Sequence, residues 1–419
     1  MELEPGAHKK IVQLIHKGVD IPNPLTLDMG EEVDIERISG RGVKIYPGCR
    51  IYGAKTVIAP GATIGREGPV TIDNCRIGPK VELKGGYFKE AVFLEGANMG
   101  LGAHVREGCI LEEEAGGAHC VGLKQTILFP FVTLGSIINF CDCLMAGGAS
   151  RKDHSEVGSS YIHFNFTPSG DKTTPSLIGD VPRGVMLNKP PIFLGGQGGM
   201  VGPLRLGYGN VVAAGTILRQ DFHGENKLIV GKSHSGTVVD FNPYAYPSLS
   251  RVVENNFFYL ANLKALEEWY AFVRRDFLRE QESGEWIYEG LMANLAWGRK
   301  ERIKRLRAMA DKIPGSNGMG RSKGHVNPGR QEFVDHVEEA CELFSGKTGA
   351  DAGAHRDRFL EKLSAHKRNM DGPYVDVIKS LPDALSAEGT LWLDTVVFEI
   401  CRRIAEIFPS MRLFKKMAR

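Results

Sequence analysis

No uninterrupted apolar run in this 419-residue sequence reaches the roughly 18 residues that a membrane span needs, so no membrane insertion is expected. Charge of one sign is missing too. Lys and Arg number 52 against 50 Asp and Glu, and the formal net charge of +2 provides no broad field for holding nucleic acid. Cysteine is sparse: eight residues (49, 75, 109, 120, 141, 143, 341, 401) are scattered through a large chain, which argues for buried thiols and against a disulfide framework. Cys141 and Cys143 form a C-x-C pair with no second pair at zinc spacing. The opening MELEPGAHKKIVQLIHKG lacks the apolar stretch and small-residue cleavage site of a secretory signal, so the expected location is the cytoplasm. Only 12 histidines are present, which makes the position of each informative.

Glycine, in contrast, is abundant, and most of the 51 glycines precede residue 245. There short Val/Ile/Leu segments alternate with Gly, Pro, Asn and Asp, the pattern of short strands and tight turns. Ile45, Ile51 and Val57 are evenly spaced, as are Ile58, Ile64 and Val70, and Leu194, Met200, Leu206, Val212 and Leu218 hold the same step. That step is six residues, the signature of a parallel β-helix in which each hexad supplies a short strand and a corner. Three hexads close one triangular coil. The spacing fixes a solenoid and leaves its hand open, although left is usual for this repeat and departs from the right-handed crossover rule.

After Asn242 the period changes. In NNFFYLANLKALEEWYAFVRRDFLREQ, Leu260, Leu263, Leu266 and Trp269 fall at helical steps, with Phe272 and Val273 beyond them. The expected fold is mainly β: a parallel β-helix over residues 1–245, then an all-α C-terminal region. That region divides into a helical extension (246–313), a linker PGSNGMGRSKGHVNPG (314–329) and a C-terminal helical domain (330–419). Phe257, Phe258, Tyr259, Trp269 and Tyr270 are expected to be packing residues. The basic run RKERIKRLR (299–307) is interrupted by Ile303 and Leu306 at helical spacing and has no aromatic platform, so it is expected to form a solvated helix face.

Several segments resemble a known family. The stretch LIHKGVDIPNPLTLDMGEEVDIERISGRGVKIYPGCRI, then AHVREGCIL (103–111), GGAHCVGL (116–123), HFNFTPSGDKTTPSLIGD (163–180) and FLGGQGGMVGPLRLGYGNVVAAGTILRQDF (193–222), is similar to the acetyltransferase half of the bacterial bifunctional glucosamine-1-phosphate acetyltransferase / N-acetylglucosamine-1-phosphate uridylyltransferase. The resemblance runs with gaps to about Lys232. It implies a left-handed, hexapeptide-repeat acyltransferase prism and a homotrimer. Chains of this kind are commonly described as UDP-N-acetylglucosamine pyrophosphorylase-like. The glycine-rich nucleotide loop of the uridylyltransferase half has no counterpart here, so no pyrophosphorylase activity is expected from this chain.

Acetyl transfer to a sugar amine needs a base for the attacking nitrogen, a donor for the thioester oxyanion and anchors for phosphate. By resemblance His119 is the base; a corner histidine hydrogen-bonded to a neighbouring coil would occupy the same position. Arg106 matches an arginine that grips the phosphate of the sugar substrate. Asn165 and Phe166 match an Asn-aromatic pair that meets acceptor and coenzyme, Lys172 falls near a following lysine, and Asn139 competes with Asn165 because the segment 136–160 looks inserted. On the donor side, Gly196 stands where the family has a serine, Ala214 where it packs a small residue on the pantetheine arm, and Lys232 near an arginine that meets coenzyme phosphate. Acetyl-coenzyme A is the implied co-substrate, with Mg2+ as a further candidate. Two departures fall on the acceptor side: the path from Arg106 to His119 is shorter than in the family by about one coil, and Gly122 replaces a tyrosine.

Residues 149–166 have no good family counterpart and gather Arg151, Lys152, Asp153, His154 and His163, a cluster suited to a phosphate or nucleotide sugar or, alternatively, a solvated loop with paired charges, the reading preferred for Asp153 and His154. If the segment is extended, Tyr161, His163 and Asn165 share one face. The leading expectation is an acetyl-coenzyme-A-dependent N-acetyltransferase acting on an amino-sugar phosphate or nucleotide amino-sugar. The alternatives are a non-catalytic nucleotide-sugar-binding scaffold and a hydrolyase holding a metal between His119, His154 and His163.

Overall fold

The computed structural model describes residues 6–231, 236–242, 246–313, 328–346, 349–370 and 372–415. Helix α1 (Gly6–Lys17) buries Ile11 and Leu14 at the first coil of a parallel β-solenoid of about 11 turns. Among the described residues one face is a ten-stranded sheet running from Lys44–Ile45 to Leu228–Ile229. The other two faces merge into a 16-stranded sheet, because Gly122–Leu128 and Asn139–Met145 turn the corner between them as continuous strands. Coils pair in parallel register, as in Tyr87 with His104 and His104 with Gly122. Leu194, Met200, Leu206, Val212 and Leu218 all point into the core, as their hexad spacing requires.

Two excursions interrupt the repeat. An antiparallel hairpin (Gly148–Ser150 with Asp153–His154) lies between the paired strands Thr133–Leu134 and Glu156–Val157. The inserted-looking segment 136–160 is therefore mostly regular solenoid, and the hairpin is the part that protrudes. A second excursion lies between Ile162–Phe164 and its partner Gly199–Val201, and contains a loop over residues 165–175 and the short α2 (Val181–Gly184).

The helical region packs along the solenoid. It comprises α3 (Leu249–Trp269), a π-helical turn (Tyr270–Arg274), α4 (Arg275–Leu278), α5 (Gly284–Ala310), α6 (Pro328–Glu342), α7 (Ala350–Asn369), α8 (Tyr374–Lys379) and α9 (Asp383–Ile407). Of the expected linker 314–329, only Pro328 and Gly329 are described, and they open α6. Buried asparagines dock α3: Asn256 donates to the Thr173 carbonyl (3.1 Å), and Asn262 accepts from the Val181 N–H (2.9 Å). Phe257, Tyr259, Trp269 and Tyr270 are buried and Phe258 partly so, as packing residues.

The basic run corrects one expectation. Arg302, only 3% exposed, is not on a solvated face; it pairs with buried Asp142 (3.0 Å) and donates to Gln125 Oε1 (2.7 Å) and to the Lys172 carbonyl (3.0 Å). Gln125 and Asp142 hold these positions from corner residues at φ 51° and 59°, a conformation that costs about 1 kcal/mol or more away from glycine. Six of the eight cysteines are buried as free thiols, whereas Cys141 is half-buried and Cys120 exposed.

Candidate active site

Corner residues of successive coils stack into one ridge. The Ile137 N–H donates to the His119 carbonyl, Ser160 to Ser136, Gln197 to Ser159 and Gly215 to Gly196, which forms an unbroken backbone ladder. His119 is exposed on this ridge, and its Nδ1 lies 2.8 Å from Ser136 Oγ on the next coil. Ser159 Oγ in turn accepts from the Ser136 N–H (3.2 Å). His119 is thus a corner histidine tied to a neighbouring coil through one ring nitrogen, and the serine fixes the ring orientation. Gly196 and Ala214 follow on the same ridge, at one edge of the ten-stranded face. A β-carbon built at Gly196 would lie 2.7 Å from the Ser159 carbonyl oxygen, which accounts physically for a glycine there. Lys232 lies outside the described residues.

Beside His119, on the ten-stranded face, lies a cavity of about 380 Å³ lined by Lys84, Asn98, Thr133 and Arg151 among others. Arg151 reaches it from the hairpin and donates to Thr133 Oγ1 (2.9 Å) and to the carbonyls of Glu114 and Phe131 (both 3.1 Å). Lys84 is paired with Glu67 at 3.2 Å. A ring that can take a proton therefore stands next to two cations, one carboxylate (Glu67, paired with Lys84) and two neutral hydrogen-bonding side chains. Sequence reasoning picked out Arg151 but missed Lys84 and Asn98. Asn98, Gly116 and Thr133 are aligned by register, a signal available once the coil length is known.

The remaining expected residues are elsewhere in the chain. Arg106 is 47% exposed and lines a separate cavity. Asn139 is exposed opposite Gly122 on the second face. Asn165 accepts from Thr174 Oγ1 (2.7 Å) in the 165–175 loop, Phe166 is 67% exposed beside it, and Lys172 has φ 59° and gives its carbonyl to Arg302. His163 and Tyr161 face the prism interior, whereas Asn165 lies beyond the strand and is exposed, so the three do not share a face. His163 is only 3% exposed, its Nε2 lies 2.8 Å from Ser176 Oγ, and burial pushes its pKa down to about 4. That makes it a neutral core residue, out of reach of a ligand on the outer surface. Among the described residues no group of three His, Cys, Asp or Glu side chains is gathered to hold a metal ion, so His119, His154 and His163 do not form a metal centre. Nor is any described helix long and apolar enough to cross a membrane.

No protein-family model matches the chain. Comparison with curated proteins finds the bifunctional protein GlmU of Thermotoga maritima, 28% identical over 214 residues, which cover 51% of this chain and 42% of the relative. Over about half its length, the chain is similar to GlmU. GlmU of Trichlorobacter lovleyi is 28% identical over 211 residues and that of Pelobacter propionicus 29% over 210, each match covering 50% of this chain and 40% of the relative. The chain thus spans well under half the length of the GlmU proteins it matches.

Proposed function

We propose that the chain is an acetyl-coenzyme-A-dependent N-acetyltransferase acting on an amino-sugar phosphate or nucleotide amino-sugar, in cytoplasmic UDP-N-acetylglucosamine or cell-envelope precursor metabolism. The observation that carries this reading is the exposed His119, oriented by Ser136 on a continuous corner ridge and flanked by a cavity with Lys84 and Arg151. Resemblance to the acetyltransferase half of GlmU supplies the reaction class. With Nδ1–H donating to Ser136, the His119 Nε2 lone pair is free to take a proton. The sugar amine attacks the thioester carbonyl, Nε2 accepts the proton from nitrogen, the C–S bond breaks, and the imidazolium returns the proton to the departing thiolate. Lys84 and Arg151 neutralise the acceptor's phosphate, and the ridge through Gly196 and Ala214 carries the coenzyme arm. The same reading includes a homotrimer, which light scattering would measure.

The test is thiol release from acetyl-coenzyme A in the presence of amino-sugar phosphates and nucleotide amino-sugars. A positive acceptor should give release that His119→Ala lowers about 100- to 10,000-fold with the fold retained. No release with any such acceptor, or a His119→Ala protein as active as the wild type, would sink the proposal.

A further inference from the structure

The second face of the solenoid carries a two-by-two array of outward side chains. Tyr87 pairs in register with His104, and Lys89 and Arg106 stand two residues further along the same two coils. The rings form one column and the cations another, separated by about 7 Å along the strands. Tyr87 and His104 meet edge to face with centroids 5.1 Å apart. Together with Trp297 of α5, Glu90 and Glu107 they line a cavity of about 640 Å³, within the size range of small-molecule sites.

The helical region builds one wall of this cavity and holds it firmly. The indole of Trp297 packs on the bare backbone of Gly108 (φ +77°), where a β-carbon would come within 2.7 Å of the ring. One turn earlier in α5, Asn294 donates to the carbonyls of Glu90 (3.1 Å) and Cys109 (3.0 Å), which ties the helix to both coils that frame the opening. The lining sets two cations, Lys89 and Arg106, against two carboxylates, Glu90 and Glu107, and neither cation is tightly paired. Burial raises the Glu107 pKa, but the hydrogen bond from Lys124 (2.9 Å) and the charges of Lys124 and Arg106 hold it below the usual carboxylate range. Glu107 is thus satisfied by Lys124, and Arg106 touches it only at 3.4 Å with half its side chain in solvent. Lys89 has Asp73 at 3.4 Å, also a loose pairing.

We propose that this cavity binds a nucleotide, with the base against Tyr87, His104 and Trp297 and the phosphates on Arg106 and Lys89. Rings present a sequence-tolerant stacking surface to any base, and a forked guanidinium suits phosphate. The site is distinct from the His119 cavity and does not depend on acetyl transfer there. It gives the helical region a binding role, because α5 contributes the third ring.

Isothermal titration calorimetry of the full chain with UDP and ADP, against ribose 5-phosphate and inorganic phosphate, tests it. At least one nucleotide should bind saturably, at least tenfold tighter than ribose 5-phosphate, and weaken as salt rises from 50 to 200 mM. Arg106→Ala and Trp297→Ala should each cost tenfold or more, and Trp297→Phe should restore most of the affinity. If Trp297→Ala melts well below the wild type, Tyr87→Ala, confined to the solenoid surface, takes its place. The inference is overturned by absence of saturable heat with either nucleotide, by equal binding of ribose 5-phosphate, or by nucleotide affinity unchanged in both the arginine and the aromatic variants. Thiol release is measured separately, so failure here and failure of the acetyltransferase reading are distinguishable.

Discussion

At position 196 a side chain has nowhere to go, since its β-carbon would sit 2.7 Å from the Ser159 carbonyl oxygen on the coil below. Gly196→Ser, which would reinstate the residue type that the resemblance expects, should therefore destabilise the fold by about 1–3 kcal/mol through overpacking, measured as a lowered denaturant midpoint. A variant as stable as the wild type would show that the corner gives way. His163 makes a different kind of statement. Burial lowers its folded pKa to about 4, while the unfolded chain titrates near 6.5. Between those values the unfolded state binds more protons, so the stability is fully present above pH 6.5 and is lost as pH falls toward 4, by roughly 3 kcal/mol in all. His163→Gln should flatten this part of the stability-versus-pH curve; identical curves for the two proteins would rule the assignment out. Neither role could be read from sequence. His163 sits in a cluster of charged residues but pairs in register with the inward Met200, and the excursion between the two strands hides that alignment from the six-residue spacing.

Helices meet solenoid through buried polar contacts. At the π-helical turn, Tyr270 donates to Glu112 and Arg274 pairs with Glu113, while the Arg274 guanidinium lies 3.6 Å from the Tyr374 ring centroid. Burial above all raises the Glu112 carboxyl, with the charge of Glu113 adding and Arg274 opposing, to about 7. Its folded pKa thus exceeds its unfolded value, so the native state binds the extra proton. The associated stability is present below about pH 4.5 and is lost as pH rises through 7, opposite in sign to His163. Melting temperatures from pH 5.5 to 8.5 should fall less for Glu112→Gln than for the wild type; parallel curves would disprove it. The solenoid was legible in sequence because every inward residue recurs at a fixed step, as Leu194 to Leu218 do. The junction was not legible. Arg302 reaches Gln125 across 177 positions, and a basic run on a helix looks the same whether one of its members is solvated or buried. The candidate site divides similarly: His119, Gly196 and Ala214 fall on one ridge because the repeat places them there, whereas Lys84 and Asn98 come from coils that no motif singled out.

The buried apolar residues of solenoid and helices form one continuous core cluster, but support along the solenoid axis is uneven. Coils around Ile127, Leu144 and Leu177 are clamped by Arg302, Asn256 and Asn262, whereas Leu228–Ile229, the last strand among the described residues, has Leu228 69% exposed and one strand neighbour among those residues. In a stacked-repeat architecture each coil depends on its neighbours, so opening should begin at the unsupported end. Amide hydrogen exchange should be fastest at Leu228–Ile229 and slowest at Ile127 and Leu144; uniform protection along the axis would contradict this. One contact at the junction also bears on how such chains diverge. Because Trp297 rests on the backbone of Gly108, position 108 can accept a side chain only in a lineage whose α5 carries something smaller at 297. Related sequences that place a side chain at 108 should therefore also carry a smaller residue at 297, whereas glycine at 108 is favoured by its φ of +77° whether or not the helices are present.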